Sequence, residues 1–109
     1  MREIKAIIRP DRLYDVVRAL HDIPDLPGVT ISNVRGVGKQ HPADDASPTF
    51  EEISMAKLEI VVPLAVVDNV VQAIERAGHT GRVGDGKIFV LPVEHAIKIR
   101  SGDEDARAL

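Results

Sequence analysis

Twice in this chain an alternating apolar run ends at a proline and gives way to apolar residues at helical spacing. Ile4, Ala6 and Ile8 alternate with Glu3, Lys5 and Arg9, the period-two signature of a half-buried strand. Pro10 and Asp11 then suit the first turn of a helix, one by its fixed φ and the other by its charge near the positive dipole end. Leu13, Val16, Val17 and Leu20 continue it until Pro24 and Pro27. The second copy begins at about residue 54. There Ala56, Leu58, Ile60 and Val62 face one way and Met55, Lys57, Glu59 and Val61 the other. Pro63 opens a helix striped by Val66, Val67, Val70, Val71 and Ile74 and closed near Gly78.

A strand over about residues 29–35 follows the first helix. A strand over about 88–93 and a short extended run over about 96–100 follow the second. The order strand, helix, strand, strand, helix, strand predicts an α+β, ferredoxin-like βαββαβ sandwich with a long loop between strands 2 and 3. At 109 residues the chain forms one domain, 1–109. Aromatic residues are only 3% of it and Trp is absent, so the core is built from Val, Ile, Leu and Ala.

Charge and residue usage exclude several function classes. A net charge of −3 argues against nucleic acid as a partner, because phosphate backbones need a basic face. The absence of cysteine removes disulfides, iron–sulfur clusters, thiolate catalysis and thiol zinc sites. No apolar run approaches the roughly 18 to 20 residues of a membrane span, and the N-terminal residues are charged. A cytoplasmic protein with no membrane insertion is expected.

The octapeptide Thr80-Gly81-Arg82-Val83-Gly84-Asp85-Gly86-Lys87 carries the most chemical information. Its three glycines permit positive φ and let backbone N–H groups face a ligand without a Cβ in the way. Arg82 and Lys87 flank that bare backbone, an arrangement suited to a polyphosphate. Lys87 leads into a strand pattern, so neither a Walker A loop nor a dinucleotide fingerprint fits. A glycine-rich turn with a solvated lysine is the competing reading of the same residues.

A second departure from economy is the segment 36–52, about seventeen residues where a hairpin needs two to five. Its stretch 41–52 holds four acids, two prolines and no Lys or Arg, too little apolar surface to hold itself rigid. It reads either as a functional loop or as a tolerated surface insertion.

Five stretches together resemble the PII family of nitrogen-regulatory signal proteins. They are Lys5-Ala6-Ile7-Ile8-Arg9-Pro10, Val34-Arg35-Gly36-Val37-Gly38-Lys39-Gln40, Lys57-Leu58-Glu59-Ile60-Val61-Val62-Pro63, residues 80–90, and Ile97-Lys98-Ile99-Arg100-Ser101-Gly102-Asp103-Glu104. The resemblance implies a homotrimer with an adenine nucleotide, ATP, ADP or AMP, bound in clefts between subunits. It places the family's T-loop at 36–52, its B-loop at 80–87 and its C-terminal loop and tail at 98–109. By the same resemblance Gly84, Asp85, Gly86 and Lys87 hold phosphates, Thr30 positions the adenine and Val61 offers it backbone contacts. Gly38 and Lys39 belong to the T-loop base, with Lys39 reaching a phosphate. Lys98 and Arg100 come from a neighbouring subunit, and alternation puts both on one side of an extended segment. Gln40 ligates Mg²⁺ through its carbonyl oxygen. The implied role is regulation of a membrane transporter or metabolic enzyme through the T-loop.

The sequence departs from that family in three places. The T-loop is a few residues shorter and lacks tyrosine, the only one being Tyr14, so tyrosine nucleotidylylation there is chemically closed. Met55 stands where the family has a lysine facing 2-oxoglutarate, and a thioether cannot replace an ammonium, which argues against that ligand. Lys98 stands for the usual arginine and keeps its charge without the bidentate fork. No catalytic constellation is visible. His21, His41, His79 and His95 are scattered, and Asp44, Asp45, Glu51 and Glu52 share one loop, so an enzyme is not expected. Two alternatives stay open at this stage. One is a PII-like regulator of a non-nitrogen transporter; the other is a trimeric scaffold of the copper-tolerance type without nucleotide sensing.

Overall fold

The computed structural model describes residues 1–40 and 49–109, and the side chains of Lys39, Gln40 and Thr49 lie outside the description together with 41–48. The readings made at His41, Asp44 and Asp45 therefore fall outside it. Six main elements follow in the expected order: β1 (Arg2–Ile8), α1 (Leu13–His21), β2 (Thr30–Gln40), β3 (Thr49–Val62), α2 (Val67–Gly78) and β4 (Gly86–Pro92). A short 3-10 turn leads into each helix, Pro10–Arg12 before α1 and Leu64–Val66 before α2.

The strands form one antiparallel sheet in the order β2-β3-β1-β4. Each crossover skips a strand, which sets both helices on the same face of the sheet and leaves the other face open. The alternation read in β1 and β3 is the reason. Ile4, Ala6 and Ile8 with Ala56, Leu58, Ile60 and Val62 are buried against Val16 and Leu20 of α1 and Val70 and Ile74 of α2. Their odd-numbered neighbours Glu3, Lys5 and Ile7 on β1, with Met55, Lys57, Glu59 and Val61 on β3, line the open face. The two central strands carry the core, and β2 and β4 are edges.

Four boundaries differ from the sequence reading. The strands β2 and β3 reach further than 29–35 and 54–62 and pair from Thr30↔Glu59 to Gln40↔Thr49. Since β1 ends at the pair Ile8↔Ala56, the last seven pairs, Val34↔Met55 to Gln40↔Thr49, project beyond the four-stranded sheet as a two-stranded arm. Both flanks of the segment read as an extended loop, 36–40 and 49–52, are thus ladder. Gly36 and Gly38 made that stretch resemble a loop; pairing with β3 supplies what their missing side chains do not.

The remaining boundary changes are smaller. Strand β4 begins at Gly86, inside the predicted loop. The segment 98–101 is a turn, not an extended run. There the Lys98 N–H donates to the Asp103 carbonyl at 2.8 Å and the Gly102 N–H to the Lys98 carbonyl at 2.7 Å. Gly78 is the last helical residue and is not left-handed. It is buried where a side chain would first meet Ile8 and Val16. The end of α2 is closed instead from a distance, by Arg12 donating through Nε and Nη2 to the Ala77 carbonyl at 2.9 and 2.7 Å.

Candidate functional site

The glycine loop is folded around one carboxylate. Asp85 Oδ1 accepts from Arg9 Nε at 2.8 Å, and Oδ2 accepts from the backbone N–H of Thr80 at 2.8 Å and of Gly81 at 2.9 Å. The Thr80 hydroxyl also donates to Oδ1. It accepts in turn from the Arg82 N–H at 3.2 Å. Arg9 closes the other side by donating through Nη2 to the Val83 carbonyl at 2.6 Å. These donors, the Thr80 hydroxyl foremost and the Arg9 guanidinium next, hold the Asp85 carboxyl well below the usual carboxylate range.

Glycine is required here for two separable reasons. Gly81, Gly84 and Gly86 have φ of 84°, 99° and 97°, the left-handed region that side chains rarely enter. At Gly86 a Cβ would also stand 1.7 Å from the Ile7 carbonyl oxygen, so the backbone of β1 occupies its place. The loop therefore lies tight against β1, with Lys87 exposed beside it. Between the loop and α2 is a hollow of about 350 Å3 with an apolar floor, Ile8 and Ile74, and a charged rim that includes Glu75 and Lys87. Arg9 and Thr80 were not singled out as loop-holding residues from sequence. Arg9 lies 76 positions from Asp85 along the chain, and only the register Ile8↔Gly86 brings the two together.

A second hollow, of about 610 Å3, opens on the uncovered sheet face beside the start of β2. Thr30, Val61 and Lys98 line it with Glu3, Glu59 and Leu109. Three predicted site residues thus converge, and they converge away from the glycine loop. Arg100, in the neighbouring turn, is exposed and does not line it. The carboxylates are linked. A hydrogen bond to Glu59 raises the Glu3 pKa, and the same bond lowers that of Glu59, which also sits 3.4 Å from Lys57 Nζ.

Gly38 lies on the open face of the arm, opposite Glu51, and a Cβ there would meet nothing within 4 Å. Packing does not demand glycine at that position. The backbone of Lys39 and Gln40 is paired in the ladder with Phe50 and Thr49. Met55 sits half-buried on the open face opposite Val34. Among the described residues no group of three or more His, Asp or Glu side chains is arranged to hold a metal ion.

A family model described as Nitrogen regulatory protein P-II matches residues 1–103. The chain belongs to the P-II family. Nitrogen regulatory protein P-II of Haemophilus influenzae is 42% identical over 113 residues, and P-II 1 of Escherichia coli K12 is 41% identical, each covering the whole of both chains. The solved structures agree. B. subtilis GlnK in complex with ATP superposes with a TM-score of 0.88 at 34% identity, over 99% of this chain and 94% of that one. Arabidopsis thaliana PII bound to citrate gives 0.83 at 39%, over 99% and 91%. P-II membership favours a nitrogen-regulatory signal protein over the copper-tolerance scaffold and the non-nitrogen transporter regulator. The matched P-II relatives are named as regulatory proteins, not as enzymes. Among the described residues no helix is long and apolar enough to cross a membrane.

Proposed function

We propose that this P-II protein senses adenine nucleotides at clefts between the copies of a homotrimer and passes the result to a target protein through residues 36–52. The observation that carries this reading is that neither hollow is a complete site. Gly86 is in one lateral row with Ile8, Ala56 and Asn33, so the glycine loop and β2 are separated by three strand spacings, about 14 Å. Thr30 is a further three residues along β2. Within one chain a nucleotide would have to lie fully extended across three strands to touch both, whereas a neighbour that sets its β2 edge against this loop brings the two halves together. A closed ring also covers the open sheet face and the unpaired edges of β2 and β4.

In that arrangement Gly84, Asp85, Gly86 and Lys87 of one subunit hold the phosphates. The amides of residues 80–82 are already engaged inside the loop, which favours its C-terminal half for this role. Asp85 acts by shaping the loop, since its oxygens are taken by Arg9, Thr80 and Gly81. Thr30, Val61 and Lys98 of the neighbour receive the base and sugar, and Arg100 approaches the phosphates from that same neighbour. Gly38 and Lys39, on the fifth and sixth rungs of the arm, approach the nucleotide, and Gln40 completes the shell of a Mg²⁺ carried by ATP. Ligand identity then biases the conformations of the loop beyond, and the loop engages or releases a membrane transporter or metabolic enzyme. The protein acts in the cytoplasm, without catalysis. With Met55 in place of an ammonium, 2-oxoglutarate is not an input. That B. subtilis GlnK forms a complex with ATP supports ATP as the ligand to test first.

The test is calorimetry with ATP, ADP and AMP, each with and without Mg²⁺ and 2-oxoglutarate. ATP and ADP should bind at sub-millimolar concentration, with no further effect of 2-oxoglutarate. Failure of all three nucleotides to bind would remove the input and the proposal with it.

A further inference from the structure

Residues 101–107 are exposed, yet burial returns at Ala108 and Leu109. A bare solvated tail would fray outward; this one turns back. The reversal is made at Asp105, which holds φ at 55°, a conformation that non-glycine residues adopt rarely and Asp more readily than most. Three interactions fix it there. The Asp105 N–H donates to the Ala96 carbonyl at 2.8 Å, its Oδ1 accepts from the Ala96 N–H at 3.2 Å, and the same oxygen lies 2.9 Å from His95 Nδ1. A 3-10 turn, Asp105–Ala108, then delivers Leu109 to the hollow shared by Thr30, Val61 and Lys98.

The volume of that hollow decides what the tail does. About 610 Å3 is open with Ala108 and Leu109 in place, so they bound the space without filling it. The hollow otherwise offers charged and polar groups, Glu3, Glu59, Lys98 and Thr30, with Val61 and Pro27 as its apolar side. A purine base gains affinity from apolar contact against its faces, and Ala108 and Leu109 add such a contact to the one that Val61 and Pro27 offer. We infer that Ala108 and Leu109 form one apolar wall of the base-binding half-site, held in position by the clasp between Asp105 and residues 95–96. Leu109 is a ligand-contacting residue in this scheme, and Asp105 and His95 are positioning residues. This rests on the nucleotide reading above.

The two are separated by titrating ATP and inorganic tripolyphosphate into the full chain and into two variants, Leu109→Ala and Asp105→Gly. The glycine variant removes the two side-chain contacts of the clasp while tolerating the same φ. Both should weaken ATP about three- to tenfold, the effect of losing part of one apolar contact, and leave tripolyphosphate unchanged. Light scattering should give the same mass for all three proteins. Unchanged ATP affinity in both variants, with the parent chain binding normally, would overturn the wall and leave the nucleotide reading intact. Equal losses for ATP and tripolyphosphate would overturn it too, by placing the tail's effect on assembly. A parent chain that binds no ATP would end both.

Discussion

Asp85 has more partners than any other carboxylate described in this chain, and its neighbours show what it is for. Its hydrogen bonds converge from β1 and from the start of its own loop, so ionised Asp85 is what keeps the loop in one shape. Its folded pKa lies below its unfolded one, so the stabilisation is complete above the ordinary carboxylate range. It declines as pH falls below that range and is gone once pH has passed through the lowered folded value. The amide resonances of Thr80 and Gly81 should accordingly hold their folded positions from pH 7 down to about 4, where free aspartates are half protonated. Asp85→Asn should shift both at neutral pH. Gly86→Ala tests the close approach. Positive φ and a clash with the Ile7 carbonyl together should lower stability by about 2 to 4 kcal/mol, read from urea unfolding. For Lys87→Ala, ATP binding should weaken by about 1.5 to 3 kcal/mol, the scale of a lost charged hydrogen bond, with folding unaffected. Unchanged affinity would take this lysine out of the site.

At the level of elements, legibility followed locality. The strand β1, the inner half of β3 and both helices were readable because one residue's neighbours in sequence already state which face is buried. Ile4, Ala6 and Ile8 need no knowledge of Leu58 to declare a strand. The outer halves of β2 and β3 were not readable, because Gly36, Gly38 and the acids near Glu52 are poor strand formers singly and are held by each other across the ladder. Three-residue alternation at Lys98-Ile99-Arg100 was too short to outweigh the turn that Gly102, with φ 75°, allows. For the site, residue types were legible and grouping was not. Lys98 was assigned apart from Thr30, yet the two line one hollow, and the Arg9 contact to Asp85 is visible only through the β1–β4 register. Gly78 makes a prediction at this scale. It is helical, and a Cβ there would reach Ile8 and Val16 only at ordinary contact distances of 3.7 and 3.8 Å. Gly78→Ala should therefore raise stability by about 0.5 to 1 kcal/mol by restricting the unfolded chain, seen as a higher urea midpoint. A loss would mean that the helix cannot accommodate even a methyl against α1.

For the whole molecule, one sheet face is covered by helices and the other carries Ile7, Val61 and Phe89 beside Glu3, Lys5, Lys57 and Glu59. Phe89 is 45% exposed there, large for an aromatic residue in the middle of a strand. Light scattering should return three times the 11.9 kDa chain mass, and a single-chain mass would leave each hollow half built. The long dimension, 58 Å against 25 and 20 Å, belongs to the arm. Seven rungs with no third strand alongside make a ribbon roughly 23 Å long, anchored only where β1 ends. Such a ribbon is stiff along its length and soft in twist. A rotation of a few degrees at its root, beside the last β1 pair Ile8↔Ala56, becomes ångströms of travel at its far end, so the arm works as a pointer that magnifies events near the sheet.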